Sequence, residues 1–259
     1  SAISAKMLIK TTAQQAILID HATGTVLFEK NSEQAMAPSS MSKLMTLYIL
    51  FSRLTEGSLS MDDTFLVSKK AWKMGGSKMF VEVGDQVSVE DLLRGVIVQS
   101  GNDACIVLAE TISGSEAAFS DLMTDKARRL GLSNSTFRNA TGWPDPQHKM
   151  SVRDVALLTQ FIVTSFPEFL PLFSEKEFTY NGIRQGNRNP LLYKNIGVDG
   201  MKTGHTKEAG YSLAATATRN GRRLILVLTG LDTAQQRAVE GERLFDYGFR
   251  KFNNYTLFK

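Results

Sequence analysis

The chain has 259 residues, 42% of them hydrophobic and 22% charged, which supplies a substantial apolar core and excludes an intrinsically disordered protein. Its net charge of +4 comes from 30 basic residues scattered among 26 acids, without an aromatic-basic motif, so nucleic acid is not an expected partner. No uncharged apolar run approaches the roughly 18 residues that cross a bilayer, and the single cysteine, Cys105, excludes an internal disulfide while leaving the compartment open.

The chain begins Ser1-Ala2-Ile3 without a charged segment or a long apolar stretch behind it, so no export signal is expected in the sequence as it stands. Residues 15–20 (QAILID) and 25–29 (TVLFE) are β-rich runs around a glycine-containing turn and predict a hairpin. The apolar run at 44–54 suits a buried helix, and helical periodicity recurs at 89–97, 104–112, 116–130 and 152–163. A second hairpin is predicted from 211–218 and 224–230, joined by the Asn220-Gly221 turn, and 234–247 reads as a helix returning onto the strands. Strands at both ends with helices between them predict a mixed α/β (α+β) fold. Its antiparallel sheet is built from N- and C-terminal strands, flanked by helices, with a helical subdomain at about 65–150. One catalytic unit is expected over 1–252, with 253–259 beginning a linker or a further element.

Three short motifs carry chemistry. Ser40-Met41-Ser42-Lys43 is a Ser-x-x-Lys at the start of the predicted helix, where residues three apart share a face. A serine hydroxyl is a poor nucleophile without a base, and a lysine amine serves as that base once desolvation or a neighbouring cation lowers its pKa. Ser100-Gly101-Asn102 sits in a turn leading into a helix and offers a hydroxyl and a carboxamide. Lys202-Thr203-Gly204 falls on a strand predicted at the sheet edge, where backbone groups can bind an extended peptide, side chains can meet a carboxylate, and glycine permits close approach. Each motif alone is equally a helix start, a turn or an ordinary strand lysine. Together, each occurring once and in this order, they follow the Ser-x-x-Lys, Ser-Asp-Asn and Lys-Thr-Gly set of β-lactamases and penicillin-binding proteins, with glycine at the middle position of the second motif.

On these residues the chain resembles the low-molecular-weight penicillin-binding proteins that act as D-alanyl-D-alanine carboxypeptidases. The longer runs Ala37 through Thr46, Ser100-Gly101-Asn102-Asp103-Ala104 and Val198 through Thr206 carry the likeness. So do Gly76-Ser77-Lys78-Met79-Phe80, Thr136-Phe137-Arg138-Asn139 with Gly142, Asp145 and His148, and Asn187-Arg188-Asn189. The resemblance implies that Ser40 is the nucleophile, Lys43 its base and Ser100 a proton relay. Asn102 would hold the substrate amide, Lys202 would depress the pKa of Lys43, and Thr203 with Lys202 would bind the terminal carboxylate. It further implies an oxyanion site from the N–H groups of Ser40 and His205, with Gly204 lining the strand and Arg188 and Arg237 as additional carboxylate ligands. The expected partners are a peptidoglycan stem peptide ending in D-Ala-D-Ala and β-lactam inhibitors; no cofactor or metal is expected. The family's setting implies the periplasm or the outer face of the cytoplasmic membrane, with anchoring through a C-terminal region beyond Lys259.

Two departures separate this from the nearest alternative, a serine β-lactamase. Gly101 stands where the commonest β-lactamases carry aspartate, and the stretch 137–148 has no glutamate to activate a deacylating water. A Ser-His-Asp hydrolase lacks support because no Gly-x-Ser-x-Gly elbow is present, and a metal hydrolase because His21, His148 and His205 lack ligand spacing. A non-catalytic penicillin-sensing or peptidoglycan-binding module is the remaining reading.

Overall fold

The N-terminal hairpin forms from β1 (Gln15–Asp20) and β2 (Val26–Lys30), and the C-terminal one from β8 (Gly210–Arg219) and β9 (Arg222–Leu231). β1 pairs antiparallel with β9, placing Gln15 opposite Thr229 and Asp20 opposite Leu224, so the two ends of the chain close one sheet as expected. With β7 (Val198–Thr206) added beside β8, the strand order is β2-β1-β9-β8-β7, and the Lys-Thr-Gly strand lies at an edge. The computed structural model describes residues 9–252; the element expected to begin at 253–259 lies outside them.

Successive strand residues face opposite sides of the sheet, and here both sides are covered. Ile17, Ile19, Ile225 and Val227 join one apolar cluster, while Ala16, Leu18, Leu224, Leu226 and Leu228 join another. This is why β9 reads as an almost unbroken apolar run instead of an alternating one. Leu244 and Phe245 of α7 (Ala234–Lys251) complete the second cluster. The first continues through α1 (Lys43–Glu56) and α6 (Val152–Ser165) into α3 (Val89–Gln99), α4 (Asn102–Ser113) and α5 (Glu116–Arg129).

Side-chain caps fix where several helices begin. Ser88, Ser115, Ser151 and Thr233 each accept from the backbone N–H three residues on, satisfying donors that would otherwise be left without a partner at the helix start. Smaller pieces show no period long enough to read in the sequence. They are the ribbon β3 (Thr64–Leu66) with β4 (Gln86–Ser88), the five-residue α2 (Lys69–Lys73), and the ribbon β5 (Glu177–Tyr180) with β6 (Ile183–Gly186).

Candidate active site

The Ser-x-x-Lys does not lie on one continuous α-helix. Ser39–Ser42 form a 3-10 turn, and Lys43 is the first residue of α1. The tighter turn still brings the two groups together: Lys43 Nζ donates to Ser40 Oγ at 2.6 Å. Lys43 is fully buried, and that burial lowers its amine from the usual 10.5 to about 8. Arg188 adds to the depression while Asp103 opposes it. Burial, one of the two causes the sequence offered, is therefore the leading one. Lys202 is also buried and also depressed, first by burial and then by the charge of Lys43.

Ser100 meets this pair from a third segment. It caps α3 in the left-handed region, at φ +53°, where a non-glycine residue is uncommon and held by its surroundings. Its Oγ accepts from Lys202 Nζ at 3.1 Å. Segments near residues 40, 100 and 200 thus converge, with two amines and two hydroxyls in one buried cluster. Cys105 lies close enough for its electrostatics to couple to both lysines, and burial pushes its thiol up to about 12, so it stays protonated.

The loop at 75–81 forms a wall of the site and is pinned to α4. Asn102 N–H donates to the Ser77 carbonyl (2.8 Å) and Asn102 Nδ2 to the Gly75 carbonyl (2.9 Å). With its amide nitrogen committed, Asn102 retains Oδ1 as the atom able to accept from a ligand N–H. The Asp103 carboxylate accepts from the N–H groups of Met79 (2.9 Å), Phe80 (2.9 Å) and Val81 (3.1 Å). Opposite, the loop 139–148 presses on the nucleophile turn. Asn139 Oδ1 accepts from Gly142 N–H at 2.8 Å, and Gly142, at φ +91°, faces Ser39 so closely that a Cβ would sit 2.0 Å from its carbonyl oxygen. Gly142→Ala is expected to cost about 3 kcal/mol in denaturant unfolding, from a disfavoured backbone angle plus this backbone clash.

Ser40 opens onto two adjoining cavities. One, of about 350 Å³, is lined by Ser77, Asn102, Trp143 and the end of β7 at Thr206. The other, of about 440 Å³, is lined by Ser77, Ser100, Arg188, Thr203, Tyr211 and Arg237. Among the described residues neither arginine has an acidic partner within ion-pair distance. Burial lowers both, and the charge of Arg188 contributes to the lowering of Arg237. Lys202 does not line this cavity. Its ammonium turns inward to Ser100, while Thr203 and the two arginines line the cavity. Gly204 allows a close approach. A Cβ there would meet Ser212 Oγ at 2.6 Å and Ser39 Cβ at 3.0 Å, so its bareness admits the nucleophile turn, and Gly204 also lines the cavity. The His205 ring stacks on Tyr211, with centroids 3.9 Å apart, and Arg237 lies 5.1 Å from the same Tyr211 ring.

Ser77, Tyr211 and Trp143 are site residues that the motifs do not name. Tyr211 could have been found, because it faces His205 across the β7–β8 pair. Trp143, 47% exposed beside the nucleophile, has no signal in spacing.

The profile of the D-alanyl-D-alanine carboxypeptidase family matches residues 2–233. The chain belongs to this family. It is 45% identical over 254 residues to D-alanyl-D-alanine carboxypeptidase DacC of Escherichia coli (strain K12), covering 95% of this chain and 64% of that one. The crystal structure of D-alanyl-D-alanine carboxypeptidase DacD from Francisella tularensis superposes with a TM-score of 0.95 at 33% identity, covering 98% of this chain and 74% of that one. Penicillin-Binding Protein D2 from Listeria monocytogenes, in its cefotaxime-bound form, gives 0.85 at 30% identity, covering 93% and 99%. The fold is thus that of penicillin-binding proteins. The chain spans somewhat under two thirds of the length of curated relatives such as DacC.

Proposed function

We propose that the chain is the catalytic part of a D-alanyl-D-alanine carboxypeptidase, removing the terminal D-alanine from peptidoglycan stem peptides through an acyl-enzyme on Ser40. The observation that carries this reading is the 2.6 Å contact between Ser40 Oγ and a fully buried Lys43, beside a cavity with two arginines that have no acidic partner among the described residues. Neutral Lys43 takes the Ser40 proton as Oγ attacks the carbonyl between the two D-alanines. The developing oxyanion is met by the N–H groups of Ser40 and His205, the donors the family resemblance assigns. Ser100, bonded to Lys202, relays to the departing D-alanine nitrogen the proton that Lys43 took from Ser40, so the leaving group departs as a neutral amine and Lys43 is neutral again. Water then hydrolyses the ester and regenerates Ser40.

Thr203, Arg188 and Arg237 receive the free carboxylate of the terminal residue, and Asn102 Oδ1 accepts from the substrate amide. A β-lactam offers a strained amide and a carboxylate at the same spacing, so it acylates Ser40 and leaves slowly. The cefotaxime-bound relative supports this part of the reading. A peptidoglycan substrate supports a location in the periplasm or on the outer face of the cytoplasmic membrane.

The test is release of D-alanine from diacetyl-Lys-D-Ala-D-Ala, with and without penicillin, alongside intact-mass measurement. Turnover that stops in step with a single adduct at Ser40 is expected. Rapid penicillin hydrolysis without peptide turnover would identify a β-lactamase instead, and binding of the peptide without release would identify a non-catalytic module.

A further inference from the structure

His148 is a buried titratable group that the mechanism above does not use. It is 2% exposed, and its ring meets Phe137 edge-on, with centroids 5.5 Å apart. Its bonding fixes its tautomer. Nδ1 accepts from the Arg138 backbone N–H at 3.0 Å, so Nδ1 is bare and the ring proton sits on Nε2. Nε2 then donates to Ser42 Oγ at 2.9 Å, and the Ser42 hydroxyl donates onward to the Ser39 carbonyl at 3.1 Å. Burial holds the imidazole at about 4, with the Lys43 charge lowering it further against Asp145, so the relay keeps this polarity at neutral pH.

The end of the relay is what matters. The Ser39 carbonyl and the Ser40 N–H belong to one planar trans peptide unit, so fixing the direction of the carbonyl fixes the opposite direction of the N–H. That N–H is an oxyanion donor in the acyl-transfer reading, on which this inference rests. Donors of this kind work only when already aimed at the place where charge develops. Gly142 approaches the same carbonyl so closely that a Cβ there would collide with it, so the loop 139–148 meets this carbonyl by close packing and by a hydrogen-bond relay.

We propose that His148 is a positioning residue for acylation, orienting the Ser40 oxyanion donor through Ser42 and the Ser39 carbonyl. An asparagine places its acceptor near Nδ1 and a glutamine places its amide donor near Nε2, so the two separate the halves of the ring. His148→Asn keeps an acceptor for the Arg138 N–H, loses the contact to Ser42, and is expected to slow the covalent step with penicillin roughly tenfold. Its pre-covalent dissociation constant stays at the wild-type value. His148→Gln recovers most of the rate, Ser42→Ala reproduces the His148→Asn defect, and the double variant is no slower than either single one.

In ¹⁵N-labelled protein the Ser40 amide resonance moves in His148→Asn and returns in His148→Gln. A folded His148→Asn that acylates at the wild-type rate, additive single-variant effects, or an unmoved Ser40 amide would each overturn the proposal. If the wild type forms no adduct at all, the acyl-transfer reading fails, and the Ser40 amide shift still decides whether the relay orients this peptide.

Discussion

Replacing Lys43 by methionine is expected to slow penicillin acylation at pH 7 by about 10³-fold or more while leaving the protein folded and more stable than the wild type. The two effects share one cause. Lys43 is fully buried, and the apolar surroundings that hold its amine at about 8 do so by making the charged form unfavourable. At pH 7 the amine is protonated in the unfolded chain and mostly in the folded one, so the folded state carries the full penalty. A depression from 10.5 to about 8 corresponds to about 3 kcal/mol. Methionine fills similar volume without charge and relieves most of that cost, so its melting temperature should rise.

The sign of the pH dependence follows. Between about 8 and 10.5 Lys43 binds more protons in the unfolded chain than in the folded one, so its contribution to stability climbs with pH across that window, while Cys105, whose thiol burial raises from 9.0 to about 12, contributes in the opposite sense above about 9. In Lys43→Met the Lys43 share of the climb is gone, leaving the rise from Lys202, whose amine is depressed in the same direction, against the fall from Cys105. Acylation by the wild type should rise with pH and level off near the same pKa, as neutral Lys43 becomes the dominant form. A pH-independent rate, or a Lys43→Met protein that acylates normally, would remove Lys43 as the base.

The sequence discloses the hairpins, the buried helices and the closing of the termini into one sheet, because these depend on periodicity and turn chemistry, which are local. It discloses Ser40, Lys43, Ser100, Asn102 and Lys202 as candidates because their spacing is unusual in combination. Orientation is another matter. Whether the Lys202 ammonium points to a cavity or inward to Ser100 depends on packing between segments about 100 residues apart, which no local pattern encodes. Gly204 shows the same limit: its spacing signals close approach, but only the fold reveals that the approaching group is the Ser39 turn. His148 sits in a stretch with no regular secondary structure, and its Ser42 partner lies 106 residues away, so its role is invisible until both are in place.

Asp103→Ala is expected to be the most destabilising single change around the site, costing about 5 kcal/mol, because several buried backbone donors lose their acceptor at once. Asp103 is 1% exposed, and its two oxygens take the N–H groups of Met79, Phe80 and Val81 as well as that of Ala104. The first three of those donors belong to a loop without regular secondary structure, and Ala104 lies in the first turn of α4, where backbone N–H groups have no intrahelical acceptor. Asp103→Asn distinguishes this from a simple loss of charge. Its remaining carbonyl oxygen can keep the bonds of one carboxylate oxygen, while its NH₂ opposes the donors that faced the other, so an intermediate loss is expected. The consequence reaches the chemistry, since the same loop carries Gly75 and Ser77, which hold Asn102 in place. At temperatures where Asp103→Asn remains folded, its affinity for the peptide substrate should fall more than its rate of acylation by penicillin. Asn102 would be loosened while Ser40 and Lys43 keep their contact. Equal losses in both measurements would mean that the loop supports the nucleophile as well as the amide clamp, and wild-type stability in Asp103→Ala would show that the loop N–H groups find other acceptors.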